Sequence, residues 1–86
     1  MISKTMKVTG DMGIHLRIAC EIMEIVNNVN CVLFAKKANS DAERLQIKSP
    51  IMLASVGGKR GDDIEFSLLG EEHTSLQALK EIGRII

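Results

Sequence analysis

The sequence predicts an α+β fold in which an antiparallel sheet of four strands is covered on one face by three helices. Four short segments have the pattern of strands, either alternating polar and apolar residues or forming a compact β-type run. Three further segments place apolar residues every three or four positions, as helices do. The order is strand, helix, strand, strand, helix, strand, helix, or βαββαβα. At 86 residues the chain has room for one small domain, over residues 1–86.

The first half of the chain contains two predicted strands and one helix. Residues 4–9 alternate and predict the first strand, which ends at a turn with glycines at 10 and 13. From residue 16 to residue 29 the period becomes helical, and Asn27, Asn28 and Asn30 are predicted to end the helix. Residues 31–35 are typical of a second strand. The stripe of this helix that we expect to be buried consists of Ile18, Ala19, Ile22, Met23, Val26 and Val29.

The second half of the chain contains two more strands and two helices. Residues 44–48 alternate after a polar turn, so this strand is predicted to return antiparallel to the previous one. A short helix opens at Ser49-Pro50, because serine caps a first turn well and proline fits the first helical position. Residues 63–68 form the last strand. The final helix follows the acidic pair Glu71-Glu72, and its predicted buried residues are Leu76, Leu79, Ile82 and Ile86.

Composition and charge exclude several classes of function. Lysine plus arginine and aspartate plus glutamate each number 11, so the chain has no basic excess with which to bind nucleic acid. Only two residues are aromatic, which leaves no stacking platform for single strands. No apolar run is long enough to cross a membrane, and no export signal is visible. We therefore expect a cytoplasmic protein with Cys20 and Cys31 reduced. A monomer is expected, and the sequence leaves a dimer open as the alternative.

The residues around His15 could carry chemistry. His15 closes a glycine-containing loop and directly precedes the first helix, whose opening amides at residues 16–18 have no acceptor within the helix. Such amides suit an anion, and a neutral imidazole is a nucleophile near neutral pH. Arg17 adds a cation able to bond phosphate in bidentate fashion. The alternative is a polar residue that merely begins a helix; the other histidine, His73, is interpreted as a surface residue.

Two motifs resemble one known family. The stretch Gly13-Ile14-His15-Leu16-Arg17-Ile18-Ala19 resembles the active-site signature of HPr, the histidine-containing phosphocarrier of the bacterial sugar phosphotransferase system, which usually reads Gly-Leu-His-Thr/Ala-Arg-Pro-Ala. Lys48-Ser49, followed by an apolar helix, is similar to the regulatory-serine segment of that family. The resemblance covers nearly the whole chain, and it implies the open-faced β-sandwich of the family.

The resemblance also implies roles for individual residues. His15 would accept a phosphoryl group from enzyme I, derived from phosphoenolpyruvate, and pass it to an enzyme IIA in sugar uptake. Arg17 would balance the phosphate charge, and Ser49 would be the residue that an HPr kinase phosphorylates in some bacteria, with a plain helix cap as the alternative. Independently of the resemblance, the free backbone amides of Leu16, Arg17 and Ile18 could hold the oxygens of a phosphoryl group on His15. Neither a cofactor nor a metal ion is expected. The chain would act as a carrier with a transient phosphohistidine rather than as a turnover enzyme.

The sequence departs from the family beside the histidine. Ile18 stands where the family has proline, and a first-turn proline would fix the start of the helix. Leu16 replaces a small or hydroxyl residue. Two alternatives therefore stay open: an HPr-like regulatory paralogue that acts through Ser49 and protein docking, and a ligand-binding regulatory module without phosphotransfer. The apolar residues expected to dock partners are Leu16, Cys20, Pro50, Ile51 and Ala54.

Overall fold

A computed structural model describes all 86 residues and contains the predicted elements in the predicted order. The sheet has the strand order β1-β4-β2-β3, and every neighbouring pair is antiparallel. The fold class predicted from the sequence is therefore confirmed. No helix is both long and apolar enough to span a membrane. The elements are β1 (Ile2–Lys7), α1 (Leu16–Asn28), β2 (Val32–Lys37), β3 (Leu45–Ile47), α2 (Pro50–Val56), β4 (Asp63–Leu69) and α3 (Glu72–Ile85).

A single layer of apolar side chains lies between the helices and one face of the sheet. The central strand β4 contributes Ile64, Phe66 and Leu68, all fully buried, because alternate residues of a strand point to the same face. On the helical side of this layer, α1 contributes Ala19, Ile22, Met23 and Val26. The opposite face of the sheet has no helix, and there the hydroxyls of Ser3 and Ser67 bond each other at 2.7 Å. The first residues of α1, Leu16 and Arg17, are exposed, so the N-terminal end of this helix can take part in a surface site.

The boundaries of the first two strands differ from the sequence prediction. β1 begins two residues earlier than expected, because Ile2 and Ser3 already pair with β4. It also ends two residues earlier, because the amides of Val8 and Thr9 donate to the carbonyls of Asp62 and Ile86 and not to a neighbouring strand. β2 extends two residues further than expected, to Lys37, because it continues to pair with β4. In both cases the partner strand and the loops decide where a strand ends.

One predicted core residue of α3 is wrong. Leu76 is 45% exposed, whereas the buried residues of this helix are Ser75, Ala78, Leu79 and Ile82. Successive residues turn by about 100° in a helix, so Leu76 lies a quarter-turn away from the stripe centred on Ser75 and Ile82. The helix buries a serine there because its hydroxyl lies 3.4 Å from the Cys31 Sγ, so the buried polar atom has a partner.

The start of α3 is capped as the acidic pair predicted. The Glu71 carboxylate accepts hydrogen bonds from the amides of His73 and Thr74, and from the Thr74 hydroxyl. These bonds, led by that of the Thr74 side chain, stabilise the charged form and hold the pKa of Glu71 below its ordinary value. Two of the amides that helix geometry leaves without a partner are thereby satisfied.

Candidate functional site

His15 is the residue at which the loop after β1 becomes the helix α1. Its backbone is extended, with φ −90° and ψ 178°, and its carbonyl accepts the first hydrogen bond of the helix from Ala19 at 2.9 Å. The side chain is half-buried and makes no capping hydrogen bond. The imidazole is therefore accessible to a reacting group from outside and is not consumed by a structural role.

Three amides next to this imidazole have no acceptor in the chain. The amides of Leu16, Arg17 and Ile18 take part in no loop or cap hydrogen bond, and the first amide of the helix that is satisfied is that of Ala19. Unsatisfied amides and the helix dipole together favour an anion at this end of a helix. The first turn of α1 therefore offers three free amide donors after His15, and the binding of an anion there stays a prediction.

The loop that presents His15 is packed directly against the loop that follows α2. Gly13 has φ +69°, and a Cβ on it would lie 2.1 Å from the carbonyl oxygen of Gly58. That same oxygen accepts a hydrogen bond from the amide of Ile14 at 2.9 Å. Gly58 is in turn backed by the side chains of Val8 and Ile14, at 3.0 and 3.3 Å from where its own Cβ would be. The backbone at residues 13 and 14 therefore contacts the backbone of Gly58 directly, and this contact, which leaves no space for a side chain on Gly13, positions His15.

Further contacts hold the beginning of this loop. The amides of Thr9 and Gly10 donate to the carbonyl oxygen of Ile86 at 2.8 and 2.9 Å. Arg60, in the loop after α2, forms an ion pair of 2.9 Å with Asp11, although both side chains are largely exposed. An exposed pair of this kind contributes little to stability. The backbone contacts, and not this ion pair, therefore determine the shape of the loop.

Arg17 is available to an incoming anion. Its side chain is exposed and belongs to neither of the two ion pairs of the chain. It lies in the first turn of α1, two residues after His15. A guanidinium so close to the free amides adds a mobile positive charge to a fixed set of donors.

The apolar residues expected to dock partners differ in exposure. Leu16 is 52% exposed, Ile51 is 68% exposed and Cys20 is also exposed. Pro50, at the start of α2, and Ala54, in its middle, are less accessible, because each is half-buried. We call these five residues the docking patch. Ala54 also packs against the core, so its share of the patch is smaller than its sequence position predicts.

Met12 is an exposed apolar residue near His15 that the sequence analysis did not single out. It is 77% exposed, the largest exposure among the large apolar side chains, and it lies three residues before His15. Its neighbours Asp11 and Gly13 are typical of a turn, where a long apolar side chain finds no core to enter. A long apolar residue within a turn is therefore the sequence feature that could have indicated this exposed side chain.

Ser49 caps α2 as its sequence context predicts. Its backbone is extended and its hydroxyl oxygen accepts a hydrogen bond from the amide of Met52 at 3.3 Å, with Pro50 in the first helical position. The residue is half-buried. Its structural role is therefore complete without any modification.

No enclosed cavity covers His15. The largest surface depression, of about 480 Å³, lies beside the connection between β2 and β3 and is lined mainly by charged residues, among them Lys36, Glu43 and Arg44. The three smaller depressions do not include residues 13–18 either. The open setting suits a reaction with a group presented by another protein rather than with an enclosed small molecule.

Comparisons with known proteins point to one family. The family model described as the PTS HPr component phosphorylation site matches residues 2–86. The structure is similar to a phosphocarrier protein HPr from Bacillus anthracis str. Ames, with a TM-score of 0.79 and 20% identity over 99% of this chain and 95% of that one. It is also similar to HPr-C-His from Thermoanaerobacter tengcongensis, with a TM-score of 0.78 and 21% identity over 98% and 92% of the two chains.

A third similar structure is a histidine-containing phosphocarrier protein of Mycoplasma, with a TM-score of 0.72 and 18% identity over 98% of this chain and 90% of that one. A sequence search of curated proteins gives no significant match. At these identities the solved structures support the fold, while the family model covers almost the whole length of the chain.

Proposed function

Because the chain belongs to the HPr family of phosphotransferase-system components, we propose that His15 accepts a phosphoryl group from enzyme I and passes it to an enzyme IIA. The observation that carries the proposal is the half-buried imidazole at the start of α1 beside three amides without an acceptor. The phosphoryl group on enzyme I derives from phosphoenolpyruvate in this proposal, and the protein acts in the cytoplasm as a single domain.

The transfer uses only groups that are present at the site. A ring nitrogen of His15 attacks the phosphorus atom, a P–N bond forms, and the bond between phosphorus and the donor breaks with its electron pair leaving on the donor. The phosphoryl oxygens then face the amides of Leu16, Arg17 and Ile18. Donors that are already oriented stabilise the developing charge without reorganisation. In the onward transfer a nucleophile of the acceptor attacks the phosphorus atom, a bond to the acceptor forms, and the P–N bond breaks with its electron pair returning to the His15 ring.

The residues that depart from the family signature leave this chemistry possible. With Ile18 in place of proline, the first turn of α1 lacks a fixed φ. The contact of Gly13 with Gly58 instead restrains the loop from the opposite side. The Leu16 side chain adds exposed apolar surface beside His15 and contributes to contact with a partner, whereas its backbone amide faces the phosphoryl group. We therefore expect transfer at His15 and assign the difference to partner recognition.

The test is phosphorylation with purified enzyme I and phosphoenolpyruvate. We expect the intact protein to gain the mass of one phosphoryl group that is lost in acid, and His15→Ala to gain none. Ser49→Ala is the matched control, because it removes another candidate phosphorylation site and leaves the His15 loop intact. Wild-type protein that gains no mass while enzyme I is itself phosphorylated would refute the proposal.

A second candidate function is regulation through Ser49. Its support is the position of this half-buried hydroxyl at the N-terminus of α2, directly before Pro50 and Ile51 of the docking patch, where a phosphate would change the charge of the surface that a partner contacts. A protein kinase would then add a phosphoryl group that survives acid. The stability of the bound phosphate in acid separates this function from transfer at His15.

A further inference from the structure

Ile18 differs from the proline of the family signature in its backbone as well as in its side chain. It is the third residue of α1, and an amide in the first turn has no carbonyl acceptor within its own helix. Proline has no backbone N–H, whereas isoleucine has one. The chain therefore carries one hydrogen-bond donor at this end of α1 that the family signature lacks.

The N–H of Ile18 has no partner in the structure. The first hydrogen bond of the helix runs from the amide of Ala19 to the carbonyl of His15 at 2.9 Å, and the amide before it donates to no carbonyl and to no side chain. The other two helices have a side-chain cap, from Ser49 in α2 and from Glu71 in α3. In α1 the residue before the helix makes no such bond, so its first amides stay available.

Packing against the core fixes the direction of this amide. The side chain of Ile18 is half-buried and lies against the hydrophobic core, and the next residue, Ala19, is fully buried. These contacts supply part of the restraint that a proline ring would give to the first turn. The N–H groups of a first turn point out of the N-terminal end of a helix. The amide of Ile18 is therefore directed, together with those of Leu16 and Arg17, toward the end of α1 at which His15 lies.

We propose that the amide of Ile18 is a third donor to the phosphoryl group on His15, and that it shifts the transfer equilibrium toward the phosphorylated protein. The inference rests on the proposed function, since it assumes a phosphoryl group on His15. The amide exchanges a bond with water for a bond with a negatively charged oxygen, and hydrogen bonds to charged groups are stronger than those between neutral groups. The protein therefore holds its phosphoryl group more tightly than the same chain with proline at position 18, and its onward transfer is correspondingly less favourable.

The test compares Ile18→Pro with Ile18→Ala. Both variants lose the isoleucine side chain, but only Ile18→Pro loses the N–H, and proline is tolerated in a first turn. The measured quantity is the equilibrium constant for transfer from phosphorylated enzyme I, obtained from the fraction of phosphohistidine in the intact mass. We expect this constant to be about 10-fold lower for Ile18→Pro than for Ile18→Ala, as for one hydrogen bond to a charged group. A loss of stability that is equal with and without the phosphoryl group leaves the constant unchanged, so a merely structural role gives no difference.

Glu72→Pro is the control for the introduction of a proline. Glu72 is exposed and is the first residue of α3, a position that proline fits well. The residue before it has an extended backbone, with ψ 136°, as the residue before a proline requires. The equilibrium constant of Glu72→Pro should equal that of the wild type. If it falls as far as that of Ile18→Pro, the amide of Ile18 is not the cause and the inference is overturned.

The remaining outcomes separate this inference from the proposed function. If wild-type protein is phosphorylated but the constant of Ile18→Pro equals or exceeds that of Ile18→Ala, the inference is overturned and the proposed function stands. If wild-type protein takes no phosphate from enzyme I, the proposed function fails.

Phosphoramidate then tests the inference without enzyme I. A ring nitrogen of His15 bonds to phosphorus, the P–N bond of phosphoramidate breaks, and its amine leaves as ammonia, which takes up the proton that the ring releases. The phosphohistidine of Ile18→Pro should hydrolyse faster than that of Ile18→Ala, because the phosphoryl group moves away from the amide as the new P–N bond breaks. Equal lifetimes, a longer lifetime in Ile18→Pro, or no phosphohistidine at His15 would overturn the inference.

Discussion

Replacing Gly13 by alanine tests whether backbone packing positions His15. The new Cβ would lie 2.1 Å from the carbonyl oxygen of Gly58, so the two loops must separate by at least about 0.9 Å to reach the shortest distance that Cβ atoms show. A left-handed backbone costs an alanine about 1–2 kcal/mol. Separation of the loops also weakens the hydrogen bond from Ile14 to Gly58, which contributes about 1 kcal/mol. We therefore expect the free energy of unfolding to fall by about 3 kcal/mol.

The functional effect should exceed the effect on stability. A displacement of about 1 Å at a reacting group can cost about 100-fold in rate, so phosphorylation of Gly13→Ala by enzyme I should be slower by about that factor. The assay follows phosphohistidine formation at a temperature where circular dichroism shows the variant to be folded. Urea titration measures the free energy of unfolding in parallel.

Gly61→Ala is the matched control. Gly61 also has a positive φ, of +96°, but a Cβ there would meet no atom within 4 Å. The free energy of unfolding of Gly61→Ala should fall only by the cost of the left-handed backbone, about 1–2 kcal/mol, and the phosphorylation rate should equal that of the wild type. If Gly13→Ala and Gly61→Ala lose the same stability and the same rate, the close approach of the two loops has no role in placing His15.

Three further predictions concern stability. Leu53→Ala removes the one fully buried side chain of α2 and should cost about 2–4 kcal/mol in a urea titration; a loss below about 1 kcal/mol would contradict the burial. Ser49→Ala removes the acceptor for the amide of Met52 and should cost about 1 kcal/mol, whereas Ser49→Asp, which can still cap, should cost less. The pKa of Glu71 is lowered on folding, so its stabilising effect is present above the ordinary value of 4.5 and is lost as the pH falls through the lower folded value. Thermal unfolding of Glu71→Gln should accordingly depend less on pH below 4.5 than that of the wild type, and equal dependence would contradict the capping role.

The elements of the fold could be predicted because each has a strong local signal. α1 begins at residue 16 as predicted and ends one residue earlier than predicted, since its apolar stripe and the asparagines at its C-terminal end act locally. The start of α2 at Pro50 follows from a cap whose atoms all lie within four residues. Signals of this kind require no knowledge of the rest of the chain.

What could not be predicted depends on contacts between distant segments. The end of β1 is set by Asp62 and Ile86, which lie more than fifty residues away along the chain. Leu76 is more hydrophobic than Ser75, yet Ser75 is buried because the helix axis is fixed by its neighbours and because Cys31 provides a partner.

The candidate site divides in the same way. His15 and the free amides of the first turn of α1 follow from the sequence, because a helix always leaves its first amides without a partner. The contact between Gly13 and Gly58 joins two loops that are forty-five residues apart, and a glycine pattern alone does not reveal it. The half-burial of Pro50 and Ala54 likewise depends on how α2 packs against the core.

The central claim concerns the imidazole and the three amides beside it, and amide resonances observed by NMR before and after phosphorylation test it most directly. If a phosphoryl group on His15 is held by the amides of Leu16, Arg17 and Ile18, those three proton resonances should move downfield together as the phosphohistidine forms. The three resonances should return to their original chemical shifts when the phosphoryl group is hydrolysed, and the amide resonances of α3 should not shift. Phosphorylation that leaves all three resonances unmoved, or that shifts only the amides around Ser49, would contradict the account.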